Sequence, residues 1–313
     1  MKRPIRDGFF MVWRHQRLVW WIFFVNLALG LMAAVAPRIL LSPVLERSFY
    51  ADKLSQQFDV ATYLELVTKP EVSLAPLEVG SAAFGFIFLI YVMFISGGVL
   101  SVYRDDLKLT RGEFFETCGE FFWRMMRLTL CFVIPFGIVF ALMGKVVSVS
   151  SKMSTDASRD MQGFWVRVAG LFGCLLIALF VRAWFDLTQT RTVCERIRGM
   201  FVLTFRSFVL ALRNLPRLVS IYFAITMVGA LLALGTWFVW LNIPHKSFGA
   251  SWLLLEVFTV VMVALRLWQR AATMLWYENF VQMNAAPVPL PLDPLPQEIV
   301  EVEPVLVGPG EFA

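Results

Sequence analysis

Ionisable side chains within or at the ends of long apolar stretches are the residues of this sequence best suited to do chemistry. Glu256 is the clearest case, and Arg167 is expected at a similar depth in another stretch. Because charges are costly inside a membrane, such residues mark ion pathways, substrate contacts or ion pairs between helices. Glu256 could couple an ion or touch a substrate. We favour a structural role instead, as an ion pair with Arg167 between helices or as a water-exposed residue near the interface.

Arg182 and Asp186 form a second candidate site, because residues four apart share one face of a helix. With Arg191 and Glu195 they make a charged stripe. The stripe could line a cavity, or it could hold a neighbouring short helix, and we favour the structural role. Asn26 is expected to bond a neighbouring helix rather than a substrate.

The sequence offers few residues for metal binding, thiol chemistry or catalysis. There are only 2 His, and the 4 Cys include no C-x-x-C pair. Phosphate loops, zinc-protease motifs and nucleophile elbows are missing from the sequence. We therefore expect no enzyme activity, no cofactor and no metal. The arginines favour contact with anionic lipid over nucleic acid.

The composition indicates a membrane protein. Hydrophobic residues make up 58% of the 313 residues and charged residues only 16%, whereas soluble domains average about 25% charged residues. This excludes a soluble globular enzyme, a disordered regulator and a disulfide-rich scaffold.

Six apolar stretches are long enough to cross a bilayer as helices, which needs about 20 residues each. They cover residues 18–41, 82–103, 128–148, 163–185, 218–241 and 251–269. The fold class predicted is an all-α, polytopic membrane domain over residues 1–283. The last helix should continue to about Met283, because neither Gly nor Pro interrupts it.

The distribution of Lys and Arg predicts the orientation. Of the 28 basic residues, 17 lie before the first span or in the segments that follow spans two, four and six, and 6 lie on the opposite side. The positive-inside rule then places both termini in the cytoplasm, as in a bacterial inner membrane. Residues 34–36 resemble a signal-peptidase site, but Pro37 disfavours cleavage there, so we expect an uncleaved first span.

Aromatic and basic residues precede the first, third and fifth spans. The aromatic members are Phe9, Phe10, Trp13, Phe121, Phe122, Trp123, Phe205 and Phe208. This composition suits helices in the membrane interface and allows a threefold repeat of one interfacial helix and two spans. Such flanks are also common without any repeat, so both interpretations stay open. Glycines such as Gly97, Gly98, Gly170, Gly173 and Gly229 should allow close helix packing.

Two segments outside the spans have their own composition. Residues 42–81 are acidic and predict amphipathic helices over the outer surface, as a passive cap or a substrate lid. Residues 284–313 contain 7 of the 15 Pro, five acidic residues and no Lys or Arg. This composition predicts a disordered tail, which is dispensable or docks a partner.

The residues Arg14–Trp21, running into Asn26–Leu29, and the stretch 48–59 resemble a broad group of uncharacterised bacterial six-span membrane proteins. The layout is also similar to the membrane domain attached to some glycerophosphodiester phosphodiesterases. Their catalytic domain has no counterpart here, so the resemblance implies a membrane fold and carries over no enzymatic residue.

Two functions fit this sequence. The first is a non-catalytic structural or assembly component of an envelope complex, with membrane proteins as partners. The alternative is the permease subunit of an ATP-driven exporter, which often has six spans, cytoplasmic termini and an ATPase partner. A transporter predicts Glu256 or Arg182 on a water-filled path, whereas a scaffold predicts that both are paired or next to lipid.

Overall fold

The protein is all-helical throughout the part of the chain that the structure describes. A computed structural model describes residues 3–46, 75–106, 110–154, 160–195, 199–243 and 248–284. The helices are α1 Pro4–Arg14, α2 Gln16–Glu46, α3 Ala75–Asp105, α4 Arg111–Ser154, α5 Asp160–Glu195, α6 Met200–Arg213, α7 Leu215–Asn242 and α8 Phe248–Asn284. Of the segment 42–81, in which amphipathic helices were expected, residues 47–74 lie outside the described residues, and of the tail 284–313 only Asn284 is described.

Six of these helices are long and apolar enough to cross a membrane: α2, α3, α4, α5, α7 and α8. The predicted all-α class with six helices able to span a membrane is therefore confirmed. The helix α8 continues without interruption to Asn284, as the lack of Gly and Pro in its last turns predicted. The two short helices, α1 and α6, each precede a long one.

The hydrophobic core is concentrated at one end of the bundle. Here α2, α4 and α7 begin, α3, α5 and α8 end, and α1 and α6 pack. We call this the arginine-rich end, because most of the basic residues of the described chain are here. The largest side chains fully buried in this core include Tyr103, Phe121, Leu187, Tyr222 and Leu267.

The opposite half of the bundle exposes apolar side chains on every long helix. Examples are Phe86, Phe140, Trp165, Leu231 and Trp252. An exposed apolar surface of this extent would be unstable in water, and in a bilayer it contacts lipid tails. The apolar surface of this half of the bundle therefore fits the hydrocarbon layer of a membrane.

The breaks before α2 and α7 have different causes. Pro216 is the second residue of α7, a position where its missing N–H costs no helical hydrogen bond, so it favours a new helix over continuation of α6. Before α2 the break falls at His15, whose buried ring contacts Asp106.

The segment before the third span departs from the predicted repeat. Helix α4 runs unbroken from Arg111 to Ser154 and stays helical through Pro135. No separate short helix therefore precedes this span, in contrast to α1 and α6. Residues 111–127 contain no Pro, in contrast to the start of α7.

Several glycines allow close packing, as predicted. A Cβ on Gly97 would lie 2.5 Å from the Cβ of Phe121 in α4, and one on Gly170 would lie 2.5 Å from Val146. A Cβ on Gly98 would likewise clash with the Cys118 sulfur, and a Cβ on Gly229 would lie 3.3 Å from Leu265 Cδ1. Gly173 differs, because a Cβ there would meet no atom within 4 Å.

Candidate functional site

A buried ion pair joins α5 to α8 at the arginine-rich end. Asp186 is only 1% exposed, and its two carboxylate oxygens accept hydrogen bonds from Nη1 and Nη2 of Arg266, each 2.7 Å long. This bidentate geometry is among the strongest arginine–carboxylate contacts. It links residues 80 positions apart in the chain.

Helix α7 joins the same ion pair through Tyr222. The Tyr222 hydroxyl donates a hydrogen bond of 2.7 Å to Asp186 Oδ2, and its oxygen lies 2.7 Å from Thr273 Oγ1 of α8. Gln269 extends the network, because its Nε2 donates to Thr226 Oγ1 at 3.3 Å. Three spanning helices are therefore tied together at one level of the bundle.

The network contains more positive than negative charge. Arg182 and Arg270 both interact electrostatically with Asp186 and repel Arg266. Neither guanidinium makes a hydrogen bond to any residue of the described chain, and both Nε atoms are buried without a partner. Three Arg side chains thus surround one Asp, and this carboxylate offsets only part of their charge.

The expected pairing within α5 is therefore only part of the arrangement. Arg182 and Asp186 do lie one turn apart, but the hydrogen-bonded partner of Asp186 is Arg266. Sequence reasoning gave no role to Arg266 and Arg270. A signal was present, because two Arg four residues apart continue an apolar helix.

A second polar cluster fastens the short helix α6. Arg191 Nε donates to Glu195 Oε1 at 2.6 Å, and Arg191 Nη1 donates to Ser207 Oγ of α6 at 3.3 Å. Tyr277 of α8 donates its hydroxyl to the same Glu195 carboxylate. In addition, the Trp184 ring N–H donates to the Thr204 carbonyl at 3.0 Å. Within the charged stripe of α5, Arg191 contacts α6 directly, and Trp184 of the same helix adds a second hydrogen bond to α6.

The short helix α1 is fastened in a similar way. The Trp268 ring N–H donates to the Ile5 carbonyl at 2.7 Å, and Gly8 lies close against the backbone of Ala272. The backbone N–H of Arg3 donates to the Asp7 carboxylate at 2.7 Å, and this bond holds the pKa of Asp7 below its usual value.

Glu256 lies in a different place from the one expected. It lines a groove of about 370 Å³ between α2 and α8, together with Asn26 and Thr259. The Asn26 Oδ1 atom is buried and has no hydrogen-bond partner among the described residues. The groove also contains Gly30 and Ala34, two small residues one helical turn apart.

The expected ion pair between Glu256 and Arg167 is wrong for the described residues. Arg167 is exposed on α5, and Glu256 faces α2. The reason lies in the packing of the opposite half of the bundle. There α5 pairs with α4, as the contact of Gly170 with Val146 shows, whereas α2 covers the Glu256 face of α8.

These clusters provide charge pairing and packing between helices. Within the described ranges, no group of three or more His, Cys, Asp or Glu is placed to hold a metal ion. The four Cys are free thiols, two of them buried.

No protein-family model, curated protein or solved structure matches this chain.

Proposed function

We propose that this protein is a non-catalytic assembly component of a bacterial inner-membrane complex. Both termini then lie in the cytoplasm, since the arginine-rich end follows the positive-inside rule. We propose further that the groove between α2 and α8 binds one transmembrane helix of a partner protein. The single observation that carries this proposal is a pair of polar groups, Glu256 and Asn26 Oδ1, that have no partner among the described residues and lie in a groove on the lipid-facing side.

The position of Glu256 along α8 supports a contact inside the hydrocarbon layer. It precedes Trp268 by 12 residues, and Trp268 is bonded to α1 at the arginine-rich end. At 1.5 Å per residue this is about 18 Å, roughly the middle of a 30 Å layer. An unpaired carboxyl at this depth is costly, so a donor from outside the chain would stabilise it.

The shape of the groove favours a helix as the occupant. Gly30 has nothing within 4 Å of the place where its Cβ would be, and Ala34 follows it at the spacing of small residues that lets two helices approach closely. Polar side chains such as Asn26 and Thr259 form hydrogen bonds between membrane helices. The fitting partner is an apolar helix with a basic or hydroxyl side chain at mid-depth.

Photo-crosslinking in native membranes tests this proposal. A photoreactive residue at Leu31, 55% exposed and lining the groove, should crosslink one defined membrane protein. Leu231 of α7 is the matched control, because it is 68% exposed and lies 16 residues into its helix, against 15 for Leu31 in α2. The control should yield lipid adducts only.

Substitution of Glu256 should then weaken the same crosslink. A hydrogen bond between membrane helices contributes about 0.6–2 kcal/mol, so Glu256→Leu should lower the yield roughly three- to thirtyfold. Glu256→Gln keeps hydrogen-bonding capacity and should lower it less, unless the partner group is cationic. An unchanged yield in Glu256→Leu would contradict helix docking. An ATPase that copurifies in stoichiometric amount would instead favour the exporter permease.

A further inference from the structure

A second groove, distinct from the helix-docking groove, lies at the arginine-rich end between α6 and α8. It has a volume of about 250 Å³ and is lined by Arg191, Arg206, Arg213, Leu210, Tyr277 and Phe280. Water occupies about 30 Å³ per molecule in the liquid. The groove is thus large enough for a phosphate group with its first linking atoms.

Helix α6 presents three different faces. One is buried against the bundle and contains Met200, Leu203, Ser207 and Ala211. The second is apolar but exposed, with Phe201 at 81% and Phe205 at 68%. The third is basic, because Arg206 and Arg213 are seven residues apart and therefore lie two turns apart on one side.

An exposed apolar face beside a basic face is the pattern of a helix lying at the membrane surface. The apolar face of α6 is too exposed to be stable in water, so it is expected to enter the acyl boundary. The basic face then lies at the level of the lipid phosphates. The start of α7 fits this level, because α7 begins at Leu215, two residues after α6 ends at Arg213.

Two arginines that line the groove have no hydrogen-bonded partner among the described residues. Glu195 is already engaged by Arg191 and by the Tyr277 hydroxyl. Arg206 and Arg213 are both exposed, and neither forms a hydrogen bond or an ion pair with another described residue. Three Arg against one Glu therefore give this groove an excess of positive charge.

We propose that Arg206 and Arg213 bind the phosphate of an anionic phospholipid in the groove between α6 and α8. Guanidinium groups bind phosphate oxygens through paired hydrogen bonds, which is the chemistry that two unengaged Arg side chains offer. Leu210 and Phe280 supply apolar contacts for the glycerol and the upper acyl chains. The exposed apolar face of α6 favours a lipid over a free anion, because a free anion gains nothing from it.

The test is native mass spectrometry of the purified protein with added phosphatidylglycerol, compared with phosphatidylcholine. Each basic residue near an anionic lipid contributes about 1 kcal/mol, so Arg206→Gln/Arg213→Gln should weaken phosphatidylglycerol binding about thirtyfold. The matched control is Arg127→Gln/Arg217→Gln. It removes two exposed Arg of the same end, outside the groove, and should leave the tightest lipid site unchanged.

Three results would overturn this site. The first is unchanged phosphatidylglycerol binding by the Arg206/Arg213 variant. The second is an equal loss in the control variant, which would show general attraction to the basic end. The third is displacement of phosphatidylglycerol by millimolar inorganic phosphate, which would show a free-anion site. The thermal melting of each variant without anionic lipid should match the unaltered protein, because all four Arg are exposed.

Discussion

Asp186→Ala should destabilise the folded bundle by about 3–5 kcal/mol, the usual cost of removing one partner of a buried ion pair. The variant leaves Arg266 without its two hydrogen bonds and Tyr222 without its acceptor. It also leaves three Arg side chains with no nearby carboxylate to offset their charge. Thermal unfolding in detergent should show a melting temperature lower by ~10 °C.

Arg270→Met provides the control for this prediction. Arg270 is only 5% exposed, and it makes no hydrogen bond to a described residue. Its removal lowers the excess positive charge while keeping a long side chain. We therefore expect a small loss or even a gain of stability. A larger loss in Arg270→Met than in Asp186→Ala would contradict this interpretation of the network, because Arg270 would then have a strong anionic partner.

Gly97→Leu should destabilise the contact between α3 and α4 by at least about 2 kcal/mol. A Cβ at Gly97 would lie 2.5 Å from the Cβ of Phe121, an atom next to the backbone that cannot move aside without shifting α4. The two helices must separate to accept any side chain here. The measurement is the fraction of protein that still elutes as a single species from a size-exclusion column after heating.

Gly119→Leu is the matched control, because Gly119 lies on α4 and its added Cβ would meet nothing within 4 Å. Replacing a helical Gly there removes the helix penalty of about 1 kcal/mol, so stability should stay equal or rise. Equal stability of the two Gly variants would contradict close packing at Gly97.

The sequence identified the residues of the site better than their partners. Glu256, Arg182 and Asp186 were identified because a charge in an apolar stretch is rare and costly. The partners were missed because they lie on other helices: Arg266 is 80 residues from Asp186 in the chain. The supposed pair of Glu256 with Arg167 relied on depth alone, and depth does not state which helices are neighbours.

Local features of the fold were predicted for similar reasons. The six long apolar helices follow from length and hydropathy. Pro216 lies in the first turn of α7, where a residue without an N–H costs no helical hydrogen bond. The unbroken α4 was not predicted, since its aromatic and basic segment looks like those of α1 and α6. The sequence of such a segment does not state where its helix breaks. The break between α1 and α2 falls at His15, which contacts Asp106 of a distant part of the chain.

The sequence by itself thus determined the fold class, the six spans and the residue types that carry charge into them. These are properties of single segments in contact with lipid, where each helix satisfies its own backbone hydrogen bonds. Only the tertiary structure decided that Asp186 binds Arg266, that Glu256 faces α2, and that α6 carries a basic groove. Such pairings depend on which helix faces meet, and helix packing sets them through shape rather than through any local pattern.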